Sequence, residues 1–167
     1  HYNRGNAYKD KGNPDQAILD YNKAIEINPN YAEVYSNRGN ACKIKGDFGQ
    51  AISDYNKAIE INPNLAETYN NRGNAYQIKG DLSKAISDYN KAIEINPNYA
   101  EAYSNRGYTY KVKGDLGQAI SDYNKAIEIN PNSAQAYYNR AIAYFKKQEY
   151  DKSLEDVDKV QILGYKV

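Results

Sequence analysis

Apolar and small residues recur along the chain with the spacing of one face of an α-helix. Tyr35, Gly39 and Cys42 are separated by four and then three residues, and Ala51, Tyr55 and Ala58 repeat these intervals. Residues at this spacing lie on one side of a helix, and polar residues fill the remaining positions here. The pattern predicts two consecutive amphipathic helices and no β-strand.

The two-helix pattern returns at a fixed interval. Proline recurs every 34 residues, at Pro29, Pro63, Pro97 and Pro131. Residues 32–65 and 100–133 are identical at 27 of their 34 positions. A repeat of this length indicates one structural unit stacked several times. We therefore predict a single array over residues 1–167, with units 1–31 (truncated at its start), 32–65, 66–99, 100–133 and 134–167.

Short turn signals separate the predicted helices. We expect turns at one residue in each unit, namely Gly12, Gly46, Gly80, Gly114 and Gln148. Asp47 with Gln50, and Asp115 with Gln118, predict N-caps of second helices. The Asn-x-x-Glu segments predict capping boxes at the first helices, at Asn30–Glu33, Asn64–Glu67 and Asn98–Glu101. Short turns force antiparallel hairpins, and stacked hairpins form a solenoid.

The repeated residues resemble the tetratricopeptide repeat (TPR) family. With proline at position 32 of each unit, the family's small residue at position 8 matches Gly5, Gly39, Gly73, Gly107 and Ala141. Its large residue at position 4 matches Tyr35, Tyr69, Tyr103 and Tyr137. The resemblance implies an all-α fold, an α-solenoid of five antiparallel helix-turn-helix hairpins in a right-handed superhelix. It also implies a protein-binding function.

The two ends of the chain depart from the family pattern. His1 falls at position 4 of the first unit, and the last unit lacks the proline and has Val157 at position 24. No further helix follows to cover the last hairpin, although solenoids normally have polar caps. We therefore expect an excerpt of a longer protein, or one end of it.

Composition and charge exclude several kinds of function. Lys and Arg (22) nearly balance Asp and Glu (21), so no basic excess indicates nucleic acid as a partner. No apolar run is long enough to span a membrane. Cys42 is the only cysteine and His1 the only histidine, which leaves no recognisable metal site or nucleophile constellation. We expect no enzyme activity, no cofactor and a cytoplasmic location, although a removed leader is left open.

Arginine at position 7 and aspartate at position 23 are equally regular. In an antiparallel hairpin these positions lie at similar height, so we interpret them as structural ion pairs rather than ligand contacts. The partner of each arginine is an Asp of its own unit or of the preceding one. The predicted pairs involve Arg38, Arg72 and Arg106 with Asp54, Asp88 and Asp122.

The family resemblance implies that a ligand lies in a concave groove on the first helices. The candidate residues are Asn37, Asn40, Asn71, Asn74, Asn105, Tyr108, Tyr138, Ile142 and Phe145. Asparagine amides both donate and accept, so a row of unpaired amides suits the backbone of an extended segment. Tyr138, Ile142 and Phe145 predict an apolar wall at one end of that row. Compositional drift toward asparagine is the alternative.

The carboxylate clamp of chaperone-binding family members is not expected here. Its asparagine positions match, but its cations at positions 5 and 2 do not. Position 5 holds Tyr2, Ser36, Asn70, Ser104 and Tyr138, and position 2 holds Glu or Gln. An acidic terminus would lose its charge-assisted hydrogen bonds at such a site.

Three functions fit these observations. The first is a protein-interaction scaffold that binds a peptide or protein segment in the concave groove. The second is a regulatory or substrate-docking region of a larger enzyme such as a glycosyltransferase, because the asparagine row resembles that of the enzyme which attaches N-acetylglucosamine to Ser and Thr. The third is a structural array that associates end to end.

Overall fold

The computed structural model describes residues 1–164, which form ten α-helices and no β-strand. The helices are α1 (Tyr2–Asp10), α2 (Pro14–Ile27), α3 (Ala32–Ile44), α4 (Phe48–Ile61), α5 (Ala66–Ile78), α6 (Leu82–Ile95), α7 (Ala100–Lys113), α8 (Leu116–Ile129), α9 (Ala134–Lys146) and α10 (Tyr150–Ile162). Consecutive helices pair into five hairpins, numbered 1 to 5 in chain order. The predicted all-α repeat of helical hairpins is confirmed.

Each hairpin turns at a residue with left-handed backbone geometry. Gly12, Gly46, Gly80 and Gly114 have φ values between 73° and 86°. Gln148 takes the same role in hairpin 5 with φ of 64°, a conformation that costs more without glycine. The five turns therefore lie where the sequence predicts them.

The predicted caps are formed at second helices but not at the first helices. Asp47 and Asp115 accept hydrogen bonds from the backbone N–H groups of Gln50 and Gln118 at 3.0 and 3.1 Å. The capping boxes Asn30–Glu33, Asn64–Glu67 and Asn98–Glu101 are wrong, because the N-cap residues are Tyr31, Leu65 and Tyr99 without side-chain caps.

An asparagine turn explains the shifted helix start. The Asn28 side chain accepts from the backbone N–H of Asn30 at 3.1 Å, and Asn62, Asn96 and Asn130 do the same in later hairpins. This turn holds Asn30 outside the helix. As a result, Glu33 and Glu67 have no capping partner and remain exposed.

The hairpins group into two compact units, His1–Ile95 and Asn96–Val167. In the first unit Ala17, Tyr21, Val34 and Ala41 form one core cluster. Cys42, Ala51, Tyr55 and Ala75 form a second cluster there. In the second unit the core cluster is Ala119, Ile120, Tyr123 and Ala143. Each cluster combines residues of successive hairpins, so stacking completes the core within each unit.

A glycine in the first helix makes room for a buried tyrosine in the second. A Cβ atom added at Gly39 would lie 2.7 Å from the Tyr55 ring, and one added at Gly73 would lie 2.7 Å from the Tyr89 ring. Hairpin 5 carries Ala141 at the glycine position and the smaller Val157 at the tyrosine position. The close approach of the two helices therefore depends on the glycine wherever the tyrosine is present.

Candidate functional site

The first helix of each hairpin lies on the inner side of its unit. In the first unit α3 contacts both α1 and α5, and in the second unit α7 contacts α9. Within residues 1–164, the second helices of neighbouring hairpins in one unit make no comparable contact. Helices that converge on one side and diverge on the other form a curved layer. The first helices therefore present the inner surface of each unit.

Bidentate ion pairs join the two helices of every hairpin. Arg38 donates from Nε and Nη2 to the carboxylate of Asp54 at 2.8 and 2.6 Å. The structure brings together all five Arg–Asp pairs of the repeat in this way: Arg4–Asp20, Arg38–Asp54, Arg72–Asp88, Arg106–Asp122 and Arg140–Asp156. The aspartate belongs to the same hairpin in each case. These hydrogen bonds raise the pKa of the Arg38 guanidinium, which stays charged.

In hairpins 2, 3 and 5 the third nitrogen of the arginine, Nη1, donates to an asparagine of the preceding hairpin. Nη1 of Arg38 donates to the Asn22 side chain at 2.7 Å, and Nη1 of Arg140 donates to Asn124 at 2.6 Å. The guanidinium also lies over a tyrosine ring one turn earlier, with Arg38 5.5 Å from the Tyr35 centroid. All three nitrogens of the Arg38 and Arg140 guanidiniums thus have hydrogen-bond partners inside the protein, which favours a structural role.

The asparagines at position 9 accept hydrogen bonds from the buried tyrosines. The hydroxyls of Tyr21, Tyr55 and Tyr89 donate to Oδ1 of Asn6, Asn40 and Asn74, each at 2.7 Å. All three tyrosines have 0% exposure. A buried phenol needs such an acceptor. Within the described residues, the amide nitrogens of Asn40 and Asn74 make no hydrogen bond, so each amide has its oxygen fixed and its N–H donors unused.

Hairpin 4 lacks this hydrogen bond because Tyr108 replaces the asparagine. Tyr123 is as buried as its three counterparts, but its hydroxyl has no hydrogen-bond partner among the described residues. Burial raises the pKa of this phenol. The Tyr108 side chain is 39% exposed and lies against Lys111, whose Nζ is 4.5 Å from the ring centroid. An aromatic surface residue thus stands where a hydrogen bond would otherwise form.

The asparagines at position 6 bond to neighbours inside the protein. Nδ2 of Asn37 donates to the Tyr2 hydroxyl at 3.0 Å and to Oδ1 of Asn6 at 3.1 Å. Oδ1 of Asn71 accepts from Lys43 at 3.0 Å. Asn105 is half-buried and also has a partner. The expectation of unpaired amides is therefore wrong, because tyrosine, asparagine and lysine side chains of the first helices approach the same surface.

The three apolar candidates of hairpin 5 differ in exposure. Tyr138 and Ile142 are half-buried, whereas Phe145 is 62% exposed. The Phe145 ring meets Tyr150 of α10 edge-on, with centroids 5.5 Å apart. Phe145 therefore lies near the turn of hairpin 5, where α9 and α10 meet.

A row of exposed aliphatic residues at position 13 was not among the candidates. Ile44, Ile78 and Val112 lie one turn beyond Asn40, Asn74 and Tyr108 on the same helix faces. All three are more than half exposed. The signal was present in the sequence, because a β-branched residue recurs there without a core role.

A polar cavity of about 310 Å³ lies at the start of α3 and α5 in the first unit. Its lining includes Tyr2, Glu33, Ser36, Glu67 and Thr68. The hydroxyls of Ser36 and Thr68 are hydrogen-bonded to each other at 2.9 Å. The carboxylates of Glu33 and Glu67 are exposed and form no hydrogen bond or ion pair with the described residues.

Other kinds of site have little support in the part of the chain that the structure describes. No group of three or more His, Cys, Asp or Glu side chains there is arranged to hold a metal ion. Among the ten helices, none combines the length and apolar character that crossing a bilayer requires. Cys42 is buried, and burial raises the pKa of its thiol to about 11. Such a thiol is a poor nucleophile at neutral pH.

Family models match most of the sequence. A model described as "TPR repeat" matches residues 5–43, 39–80 and 107–148. Two models described as "Tetratricopeptide repeat" match residues 66–99 and 88–121. No curated protein matches the sequence significantly.

Several solved structures are similar over nearly the whole chain. The crystal structure of MamA is 29% identical with a TM-score of 0.87, and the match covers 96% of this chain and 94% of MamA. YrrB, described as a TPR protein with an unusual peptide-binding site, is 25% identical with a TM-score of 0.77, covering 97% and 84%. PilF from Pseudomonas aeruginosa, at 21% identity and a TM-score of 0.92 over 99% and 76%, shows likeness of fold alone.

Proposed function

The chain belongs to the tetratricopeptide repeat family, and we propose that it binds an extended peptide or protein segment along the inner surface of its first helices. One observation carries the proposal. Asn40 and Asn74 each present an unused amide donor, and an exposed isoleucine, Ile44 or Ile78, lies one turn further along the same helix. Fixed donors beside apolar side chains are what the backbone and side chains of a peptide require.

The tyrosine hydroxyls make these donors effective. Each hydroxyl donates to the asparagine oxygen, which leaves the amide N–H groups as the end available to a ligand. Little side-chain freedom is then lost when a ligand carbonyl binds, which improves affinity. The likeness to YrrB, a TPR protein with a peptide-binding site, supports the same class of ligand. The proposed surface comprises Asn40, Ile44, Asn74 and Ile78 in the first unit, and Tyr108, Tyr138, Ile142 and Phe145 in the second.

Random-sequence peptides displayed on phage provide the test, with the whole chain as bait. We expect enrichment of a peptide pool, and weaker binding of its synthetic members by Ile78→Ser than by the unmodified protein. Burial of one aliphatic side chain contributes roughly 1.5–3 kcal/mol, so the loss should be about tenfold or more. Ile27→Ser is the matched control, because Ile27 is exposed but lies at the end of a second helix. Equal losses for Ile27→Ser and Ile78→Ser would contradict the proposal.

The apolar anchor in the second unit is tested separately. Phe145→Ala should weaken peptide binding more than Leu154→Ala, although both side chains are 62% exposed, because Leu154 lies on the second helix α10. Phe145→Ala should also exceed any single asparagine substitution, since one hydrogen bond contributes only about 0.5–1.5 kcal/mol. A larger effect of Asn74→Ala would place the anchor elsewhere.

Self-association is a second candidate function, favoured by one face of α10. Tyr150 and Leu154 are more than half exposed, whereas Phe48 and Ile52, at the same positions of hairpin 2, pack against the core between hairpins 2 and 3. This face is suited to another hairpin, which a second copy would supply. Sedimentation over a range of concentrations should then show dimers that Leu154→Glu abolishes. A monomer at all concentrations would exclude this function.

A further inference from the structure

Lys111 is a half-buried ammonium group for which the described residues provide no carboxylate partner. Its Nζ donates to Oδ1 of Asn139 at 3.2 Å and lies 4.5 Å from the Tyr108 ring centroid. Burial lowers the pKa of this lysine, and the nearby charge of Lys146 lowers it further. A partly desolvated cation beside a second cation is unfavourable unless an anion joins them.

Most of the other half-buried lysines among the described residues pair with a carboxylate. Lys9, at the same position of hairpin 1, lies 3.7 Å from the carboxylate of Asp10. Lys43 donates to Asn71 and has a further interaction. Lys57, Lys91 and Lys125, which are also half-buried, pair with Glu60, Glu94 and Glu128. Lys111 therefore differs from Lys9, Lys57, Lys91 and Lys125, because its hydrogen-bond partner is a neutral amide and not a carboxylate.

The buried Tyr123 hydroxyl is a second, independent sign of a site here. Tyr108 occupies the position of the asparagine that would accept from Tyr123, and the phenol is left without a hydrogen bond among the described residues. Leaving a buried donor unsatisfied destabilises the folded state. Residues kept at such a cost are commonly functional. The aromatic ring under Lys111 thus has a reason to be there other than stability.

We propose that Lys111 and Lys146 bind a carboxylate side chain of the peptide, with Tyr108 and Ile142 contacting the apolar part of the same ligand residue. The proposal rests on the peptide-binding function and names the chemistry that this part of the surface selects, an acidic peptide. The residues lie at positions 9, 12 and 13 of the repeat. They are therefore not those of the carboxylate clamp, whose cations at positions 5 and 2 the sequence lacks.

Charge complementarity indicates that the ligand residue is Asp or Glu. A carboxylate would accept charge-assisted hydrogen bonds from the two ammonium groups, and these are stronger than bonds between neutral groups. The methylene groups of Asp or Glu would lie against the exposed faces of Tyr108 and Ile142. A neutral amide of the same shape would leave Lys111 uncompensated.

Peptide selection tests the proposal with matched lysine variants. Random-sequence peptides on phage are selected on the unmodified chain, on Lys111→Gln and on Lys113→Gln. Lys113 is an exposed lysine of the same helix, α7, so its variant has the same change of charge. We expect Asp or Glu to be enriched on the unmodified chain and on Lys113→Gln, but not on Lys111→Gln. A selected peptide should bind the unmodified chain about tenfold more tightly than its Gln counterpart.

The outcomes separate this inference from the proposed function. A peptide pool without acidic enrichment would overturn the carboxylate site but leave peptide binding intact. An acidic preference that survives in Lys111→Gln would also overturn it. Failure to enrich any peptide on any variant would overturn both. Circular dichroism of each variant verifies that loss of preference does not come from loss of fold.

Discussion

Hairpins 3 and 4 share their architecture but differ in the surroundings of the buried tyrosine hydroxyl. Both have the bidentate Arg–Asp pair, the small residue opposite a tyrosine and a fully buried tyrosine ring. In hairpin 3 the Tyr89 hydroxyl lies 2.7 Å from Oδ1 of Asn74 and 3.0 Å from Oε1 of Gln77, so its single proton has two acceptors within reach. In hairpin 4 the Tyr123 hydroxyl has no partner among the described residues. The difference arises at position 9, where Tyr108 of hairpin 4 takes the place of the asparagine in hairpin 3.

The largest expected effect comes from the Arg–Asp ion pair, which hairpins 3 and 4 both have. Arg72→Leu and Arg106→Leu should each lower the free energy of unfolding by about 3–5 kcal/mol, because each leaves a buried aspartate without its counter-charge. Urea denaturation followed by circular dichroism measures both losses. A loss in one hairpin that is several-fold smaller than in the other would show that the Arg–Asp pairs are not equivalent.

Removal of the buried tyrosine hydroxyl should change the free energy of unfolding differently in hairpins 3 and 4, unlike removal of the arginine. Tyr89→Phe removes the hydrogen bond to Asn74 and leaves a half-buried acceptor without its donor, so it should lower the free energy of unfolding by about 1–2 kcal/mol. Tyr123→Phe removes an unsatisfied hydroxyl, and it should leave the stability unchanged or raise it by up to about 1 kcal/mol. Urea denaturation followed by circular dichroism measures both changes in stability. Equal losses would mean that the Tyr123 hydroxyl finds a partner in solution.

Restoring the repeat at position 9 should remove the difference between the hairpins. Tyr108→Asn supplies the acceptor that Tyr123 lacks, and we expect a gain of about 0.5–1.5 kcal/mol. Combining it with Tyr123→Phe provides the control, since the gain should vanish when the hydroxyl is absent. A gain that persists in the double variant would have another origin than this hydrogen bond.

The smallest expected effect is the pH dependence of stability that comes from Cys42, in the first unit. Burial raises the pKa of the Cys42 thiol to about 11 from 9.0. The neutral thiol is therefore favoured in the folded state, so its contribution is complete below about pH 8, starts to fall as the pH approaches 9 and is lost by about pH 11. The unmodified chain should lose roughly 0.4 kcal/mol more than Cys42→Ala between pH 8 and pH 9. Denaturation midpoints at both pH values measure this, and parallel losses would contradict it.

The sequence predicts the backbone well because the repeat fixes both period and turns. The 34-residue spacing places each turn at a glycine, and Gln148 follows by register although it is not a glycine. The pairing of Arg38 with Asp54 is also foreseeable, since their positions lie at the same height in a hairpin. Competition between nearby side chains and the helix for the same backbone N–H group is harder to predict from the sequence. Asn28 captures the Asn30 N–H, and the predicted capping box does not form.

The candidate site was less predictable because side chains of different helices compete for the same groups. Asn37 bonds to Tyr2 and Asn6, which a view of each helix alone does not show. One signal could have revealed the tyrosine bond. Asparagine at position 9 accompanies tyrosine at position 24 in hairpins 1 to 3, while hairpin 5 has Ile142 with Val157. Only Tyr108 and Tyr123 break this correspondence.

The hydrogen bond between an arginine and the preceding hairpin has a consequence for how such arrays gain repeats. Arg38 binds Asp54 of its own hairpin and Asn22 of the hairpin before it, and Arg140 does the same with Asp156 and Asn124. A duplicated hairpin therefore brings its own arginine for the copy before it and its own asparagine for the copy after it. Gene duplication can add a whole unit without any compensating substitution, and each new copy is then free to diverge at the surface, as hairpin 4 has at Tyr108.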